Sequence, residues 1–250
     1  MTSLLLIGVL SAIAAAANAI AGGGTLLTFP ALIGLGIPPI VANATSTVAL
    51  WPGSMSSMFG YRKALQDVRP WAIAFAIPSV IGGAVGAWLL VVTPAARFDR
   101  IVPFLVFGAT LLFLAQVPLV RLVARTRGAP ASGSPSWLFV AVQFCVAIYG
   151  GYFGAVAGIV MLASLGLMGL TDIHQMNGLK NWGAICFNGI AVAIFIATGL
   201  VNWPVAMVMA VGALLGGWSG SKLAQRMPRE RVRMVIGVIG LASAGWLFVR

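Results

Sequence analysis

The sequence predicts an all-α polytopic membrane protein of two inverted repeats, each a re-entrant helical hairpin followed by three transmembrane helices, about eight membrane segments in all. Three observations predict it. Of the 250 residues, 60% are hydrophobic and 8% charged, against about 25% charged in soluble domains. Glycine-rich breaks interrupt two of the apolar stretches, at 22–24 and 150–158. The cationic connectors fall on one side of a membrane only if both interrupted stretches turn back.

A helix needs about 20 apolar residues to cross roughly 30 Å of hydrocarbon. The segments 38–60, 70–92, 101–121, 173–197, 203–223 and 232–249 meet this requirement. Residues 4–21 instead run into Gly22-Gly23-Gly24 and then a short arm, 25–36, before Pro38-Pro39. An arm of that length reaches only about 18 Å. Residues 137–157 lead in the same way through Gly150, Gly151, Gly154 and Gly158 into an arm that ends near Thr171.

Positive loops favour the cytoplasmic side. If all eight segments crossed, Lys and Arg would divide 7 against 7. If both hairpins return to the side they entered from, the division is 11 against 3. That arrangement puts connectors 61–69, 122–136 and 222–231 in the cytoplasm and both termini outside, across a cell inner membrane. Three crossings per half invert the second half relative to the first. The expected organisation is a first repeat over 1–122, a linker over 123–136 that includes RTRGAPASGSPS at 125–136, and a second repeat over 137–250. A short internal match supports it, IGGAVG at 81–86 against LGGWSG at 215–220.

Composition also excludes function classes. The net charge of +11 is spread through connectors and forms no basic face, which argues against nucleic acid as a partner. Cys145 and Cys186 have no metal-type spacing, the chain has a single histidine, and no catalytic constellation appears, so neither an enzyme nor a cofactor is expected. Residues 1–21 lack the positive n-region of a signal peptide and read as a membrane segment. The sequon at Asn43 sits in an apolar setting and reads as unmodified.

Irregular backbone at membrane depth survives only where it is buried in protein or lines a polar cavity, so the breaks locate a candidate binding site. Helix starts at Gly22, Gly23, Gly24 and Thr25, and at Gly154, would aim unpaired N–H groups and positive dipole ends into it. Lys180 lies about two turns into an apolar helix, where a charge normally faces the bundle interior or water. It either snorkels to the interface or meets an anionic substrate. Asn177, Asn181 and Asn188 share its helical face, which favours the second reading. Asn43, Thr45, Ser46 and Thr47, with Trp51 one turn on, occupy the comparable part of the helix after the first hairpin. Hydroxyls and amides there either bind substrate or join helices. Asp172 and His174 form the one titratable pair for proton coupling, although Asp172 with Gln175 also reads as an N-cap and its capping box.

The run GGGTLLTFPALIGLGIPPIVANATSTVALWPG, with Pro30, the ANATS block at 42–46 and Pro52-Gly53, resembles the first-repeat signature of the sulfite exporter TauE/SafE (TSUP) family. GGYFGAVAGIVMLASLGLMGL followed by NGLKN resembles its second, with Tyr152 and Phe153 interrupting the glycines. The resemblance covers essentially the whole chain. It implies a secondary transporter, an exporter of small sulfur-containing or carboxylate anions such as sulfite, sulfoacetate or other organosulfonates, working by alternating access. An anion channel, or a non-transporting membrane subunit that docks a partner enzyme, are the alternatives. The partners expected are the small anion, the lipid bilayer and, for assembly, a second copy in a homodimer.

Overall fold

The computed structural model describes residues 2–21, 23–66, 68–115, 137–170, 172–223 and 229–250, and the side chains of 2–4, 20–21 and 221–233 lie outside the description. The described residues form ten helices and no strand: α1 (Thr2–Ala21), α2 (Thr25–Gly34), α3 (Pro39–Gln66), α4 (Arg69–Val92), α5 (Ala95–Leu114), α6 (Trp137–Tyr152), α7 (Ala157–Leu167), α8 (Ile173–Ala197), α9 (Trp203–Leu223) and α10 (Arg229–Val249). Both interrupted stretches break where expected. The first gives a 20-residue helix and a 10-residue one, the second a 16-residue helix and an 11-residue one.

Local chemistry sets most of the boundaries. α2 ends at Gly34, and the chain turns away from it at Gly36, whose φ of 82° a side chain would disfavour. Pro39 and Pro70 sit at the first or second position of α3 and α4, where a missing N–H costs nothing. Asp172 caps α8 by accepting from the backbone N–H of His174 (2.7 Å) and Gln175 (3.3 Å).

Helices outrun the segments expected from hydropathy. α3 continues to Gln66 and carries Arg62 and Lys63, α5 begins at Ala95 and carries Arg97 and Arg100, and α10 begins at Arg229. Arg, Lys, Ala, Leu and Gln are good helix formers, so a helix need not end where its apolar run ends. Among the described residues three helices are long and apolar enough to cross a membrane: α4, α8 and residues 203–220 of α9. The other three expected crossings fall short for identifiable reasons. Hydroxyls and amides lower the hydropathy of α3, α5 opens on Arg97, Asp99 and Arg100, and the apolar run described in α10 covers only Met234–Val249. The expected linker at 123–136 lies outside the described residues.

The helices pair in matched couples. α1 packs along α9 and α6 along α4; α3 packs on α9 and α8 on α4; α3 meets α8, and α5 meets α10. Small residues permit these approaches. A Cβ on Gly82 would lie 2.5 Å from the Phe144 carbonyl oxygen of α6, and one on Gly86 would overlap the Ile148 carbonyl. Gly212 and Gly216 stand in the same relation to the Gly8 and Ala12 carbonyls of α1. Gly83 faces the Phe187 backbone of α8, and Gly217 the Gly53 backbone of α3. The two matching hexapeptides therefore do the same packing job in the two halves.

Buried hydroxyls and amides then tie the couples together. Ser11 donates to the Met209 carbonyl (2.7 Å), Ser57 to the Gly217 carbonyl (3.2 Å) and Gln143 to Ser79 Oγ (2.9 Å). Two apolar clusters fill the remaining interior, one centred on Phe29, Phe98, Phe113 and Phe195, the other on Phe75, Phe139 and Phe187. Phe153, at the end of the second hairpin's first arm, belongs to the first cluster and meets Phe29 edge-on at 5.2 Å. The break in the second half is thus seated on the first.

Candidate binding site between the two helix breaks

Both short arms begin at the same place. α2 starts at Thr25 directly after Gly23 and Gly24, and α7 starts at Ala157 after a turn in which Gly154 (φ 75°) and Val156 (φ 69°) are left-handed. For a β-branched residue this conformation costs about 1–2 kcal/mol. Val156 is held in it by burial, with 3% of its surface exposed. The first N–H groups of a helix lack intrahelical partners and carry the positive end of its dipole. Thr25 at one start, and Gly154, Ala157 and Gly158 at the other, line a common cavity of about 50 Å³.

The two central helices supply the rest of the wall. α3 contributes Thr47, Leu50, Trp51 and Ser54, α8 contributes Lys180, Asn181, Ala184, Phe187 and Asn188, and α1 contributes Asn18. Thr47, Trp51 and Ser54 follow the i, i+4, i+7 spacing of one helical face, as do Lys180, Ala184 and Phe187.

Lys180 is 3% exposed. Its stem crosses Gly158, where a Cβ would lie 3.0 Å from Lys180 Cδ, and its ammonium donates to the Asn18 carbonyl at 3.3 Å. Asn18 is in the last turn of α1, where carbonyls lack intrahelical donors and the dipole end is negative. The ammonium therefore caps α1 and faces the cavity together. Among the described lining residues it is the one charged group. Beside it, Asn181 is 2% exposed and its Nδ2 has no hydrogen-bond partner in the protein. An unpaired buried donor costs about 1–3 kcal/mol, which an anion accepting from it would recover. Trp51 donates Nε1–H to the Ile185 carbonyl (3.1 Å), so its ring is fixed against α8 and offers the cavity a π surface. Thr47 donates to its own helix at the Asn43 carbonyl (2.9 Å).

Of the residues singled out from sequence, Thr25, Thr47, Trp51, Gly154, Lys180, Asn181 and Asn188 line this cavity. Others are placed elsewhere. Asn43 donates to the Tyr152 carbonyl at the end of α6 (2.9 Å), Ser46 shares a 2.6 Å hydrogen bond with Thr28, and Thr45 Oγ1 accepts from the Asn202 N–H (3.0 Å). Asn43 and Ser46 thus join helices, and Thr45 ties α3 to the residue just before α9. Asn177 turns back to the Ile173 carbonyl (2.9 Å). Gly23 and Gly24 give close packing, since a Cβ there would lie 2.6 Å from the Phe113 ring and 2.7 Å from the Ala14 carbonyl; Gly22 lies outside the described residues. Asp172 and His174 are exposed at the start of α8, the first as its cap and the second 6.4 Å from the Tyr61 ring.

Sequence reasoning missed Asn18 and Ser54. Each left a trace: Asn18 is the one polar side chain in AIAAAANAIAGGG (12–24), and Ser54 continues the face of Thr47 and Trp51.

With this geometry in place, sequence comparison is decisive. The profile of the sulfite exporter TauE/SafE family matches residues 5–247. The chain belongs to that family. Its relatives span it almost end to end. The probable membrane transporter protein YfcA of Escherichia coli K12 is 32% identical over 99% of this chain and 92% of its own length. A probable membrane transporter protein of Haemophilus influenzae is 29% identical over 89% and 85%, and the probable membrane transporter protein ORF9 of a Sinorhizobium species is 26% identical over 91% and 85%. The chain is a multi-pass membrane protein of a transporter family, and its apolar helices and buried polar cavity agree with that membership.

Proposed function

We propose that this member of the TauE/SafE family is a secondary transporter that exports small sulfur oxyanions, and that the cavity between the two helix breaks is its substrate site. The observation that carries the reading is convergence: two helix starts, the Lys180 ammonium and the unpaired Asn181 amide share one space that no carboxylate among the described residues lines. A sulfite or sulfonate group carries delocalised negative charge on oxygens that accept from such donors, and charge-assisted bonds of this kind are the strong ones. The volume favours the smaller members. By the measure in which one water needs about 10–15 Å³, the cavity holds about four heavy atoms, the size of sulfite.

Alternating access is the mechanism proposed, with 1–122 and 137–250 as inverted repeats about the linker. The matched couples of helices support it. So do two hydrogen bonds of one kind: Asn43 of α3 reaches the last carbonyl of α6, and Lys180 of α8 reaches a last-turn carbonyl of α1. Each central helix thereby holds the broken helix of the other half. An anion drawing Lys180 toward itself would compete with the Asn18 carbonyl and loosen one of these links. In the cell the proposed setting is the inner membrane, with the connectors at 61–69, 122–136 and 222–231 cytoplasmic.

The test is thermal stability of the purified protein with sulfite, thiosulfate, sulfoacetate, taurine and simple carboxylates, repeated with Lys180→Met. A ligand at 100 times its Kd stabilises the native state by about 2.7 kcal/mol. A shift with sulfite that disappears in the variant is expected. No shift with any anion, or the same shift in Lys180→Met, overturns the assignment. Saturating uptake by proteoliposomes is also expected; flux that never saturates would identify a channel.

A further inference from the structure

A second concavity lies at the outside of the helix bundle, away from the proposed transport cavity. Its volume is about 320 Å³, and Met58 and Leu65 of α3, Ile73 of α4 and Trp182 of α8 form its apolar walls. Trp182 makes a defined floor, because its Nε1–H is satisfied by the Ala72 carbonyl at 2.8 Å. Arg62, near the end of α3, and Arg69, the first residue of α4, stand in the same groove, both exposed. Asp67, between them in sequence, lies outside the described residues.

Two features fix what fits here. α4 is long and apolar enough to cross the membrane, and its outward face continues from Arg69 through Ile73 (62% exposed) and Ile77 (66% exposed). Exposed isoleucines on a spanning helix face acyl chains. Arg62 and Arg69 mark the level where that face reaches the headgroups, and Arg69 also sits at the positive end of the α4 dipole. An occupant must therefore be anionic at one end and long and apolar at the other. Basic pockets between transmembrane helices have this property toward acidic headgroups.

We propose that this groove is a binding site for one anionic diacyl phospholipid, its phosphate between Arg62 and Arg69 and its first chain segments against Met58, Ile73 and Trp182. The site is independent of the transport reading and survives if that reading fails.

Native mass spectrometry of the detergent-purified protein, titrated with dioleoyl phosphatidylglycerol or dioleoyl phosphatidylcholine, measures it. Phosphatidylglycerol is expected to bind in preference, and Arg62→Gln with Arg69→Gln to weaken it about 30-fold, from roughly a kcal/mol per basic residue. Ile73→Trp, which fills the groove and keeps both charges, should weaken it as well, while Lys63→Gln, outside the groove, and Lys180→Met should not. Equal affinity for the two lipids, or full affinity in the double Arg variant, overturns the proposal. Displacement of phosphatidylglycerol by millimolar inorganic phosphate also overturns it, by reducing the site to an anion contact. The double variant's melting temperature without lipid serves as the folding control: both substitutions are at exposed positions and should leave it unchanged.

Discussion

Lys180 and Asn181 are adjacent in sequence and separate two kinds of polar burial. Lys180 already has a protein partner, the Asn18 carbonyl, so removing its charge takes away both a helix cap and an anion donor. Lys180→Met fills much of the same space with apolar atoms and should leave the fold intact while abolishing the ligand-induced thermal shift. Asn181 is the cleaner probe. Its unpaired Nδ2 costs stability while empty, so Asn181→Leu should leave the unliganded melting temperature unchanged or higher. Sulfite affinity should fall about tenfold or more, the worth of one hydrogen bond to a charged group. A variant that is destabilised yet binds normally would make Asn181 a packing residue.

At the scale of elements, the glycines and the break at 153–156 carry the geometry. Gly86→Leu would drive a side chain into the Ile148 carbonyl and the Tyr152 N–H of α6, where backbone cannot yield as a side chain would. Overpacking costs about 1–3 kcal/mol, and because α6 ends at the break, denaturant or thermal unfolding of Gly86→Leu should show at least that loss. Gly154→Ala forces a Cβ into a left-handed residue at a cost of about 1–2 kcal/mol, with nothing gained. Val156→Gly should come out near zero, since relief of the same strain offsets the lost burial of a valine, about 1.5 kcal/mol. Asp172→Ala removes the α8 cap and should cost about 1 kcal/mol; a larger loss of transport than of stability would favour the proton-coupling role for Asp172.

For the whole molecule the question is sidedness. In a background lacking Cys145 and Cys186, single cysteines at Gln66→Cys and Arg229→Cys should react with a membrane-impermeant thiol reagent from one side only, the same side for both. Were every segment to cross, they would be labelled from opposite sides. The charge pattern is the basis for this expectation, and the structure adds a physical reason. The short arms α2 and α7 each start at a break and are 10 and 11 residues long, about 15–17 Å of helix, half of what the hydrocarbon requires.

The amino-acid sequence by itself determined the membrane class, the family resemblance, both breaks and the equivalence of the glycine hexapeptides. Each of these rests on composition, on periodicity or on short motifs read directly from the chain, which needs no knowledge of spatial neighbours. It also marked Lys180 and Asn181, because polar atoms in an apolar helix must be aimed at something. What only the tertiary structure decided was the target. Asn43, Thr45 and Ser46 look as suitable as Thr47 in sequence, yet each is hydrogen-bonded to a group that a distant part of the chain brings to it, Tyr152, Asn202 and Thr28 respectively. Asn18 enters the cavity because α1 ends beside Lys180 of α8, a residue 162 positions away in sequence. A hydrogen-bonding side chain is legible in a sequence; whether protein or ligand satisfies it depends on which distant backbone the fold brings within about 3 Å.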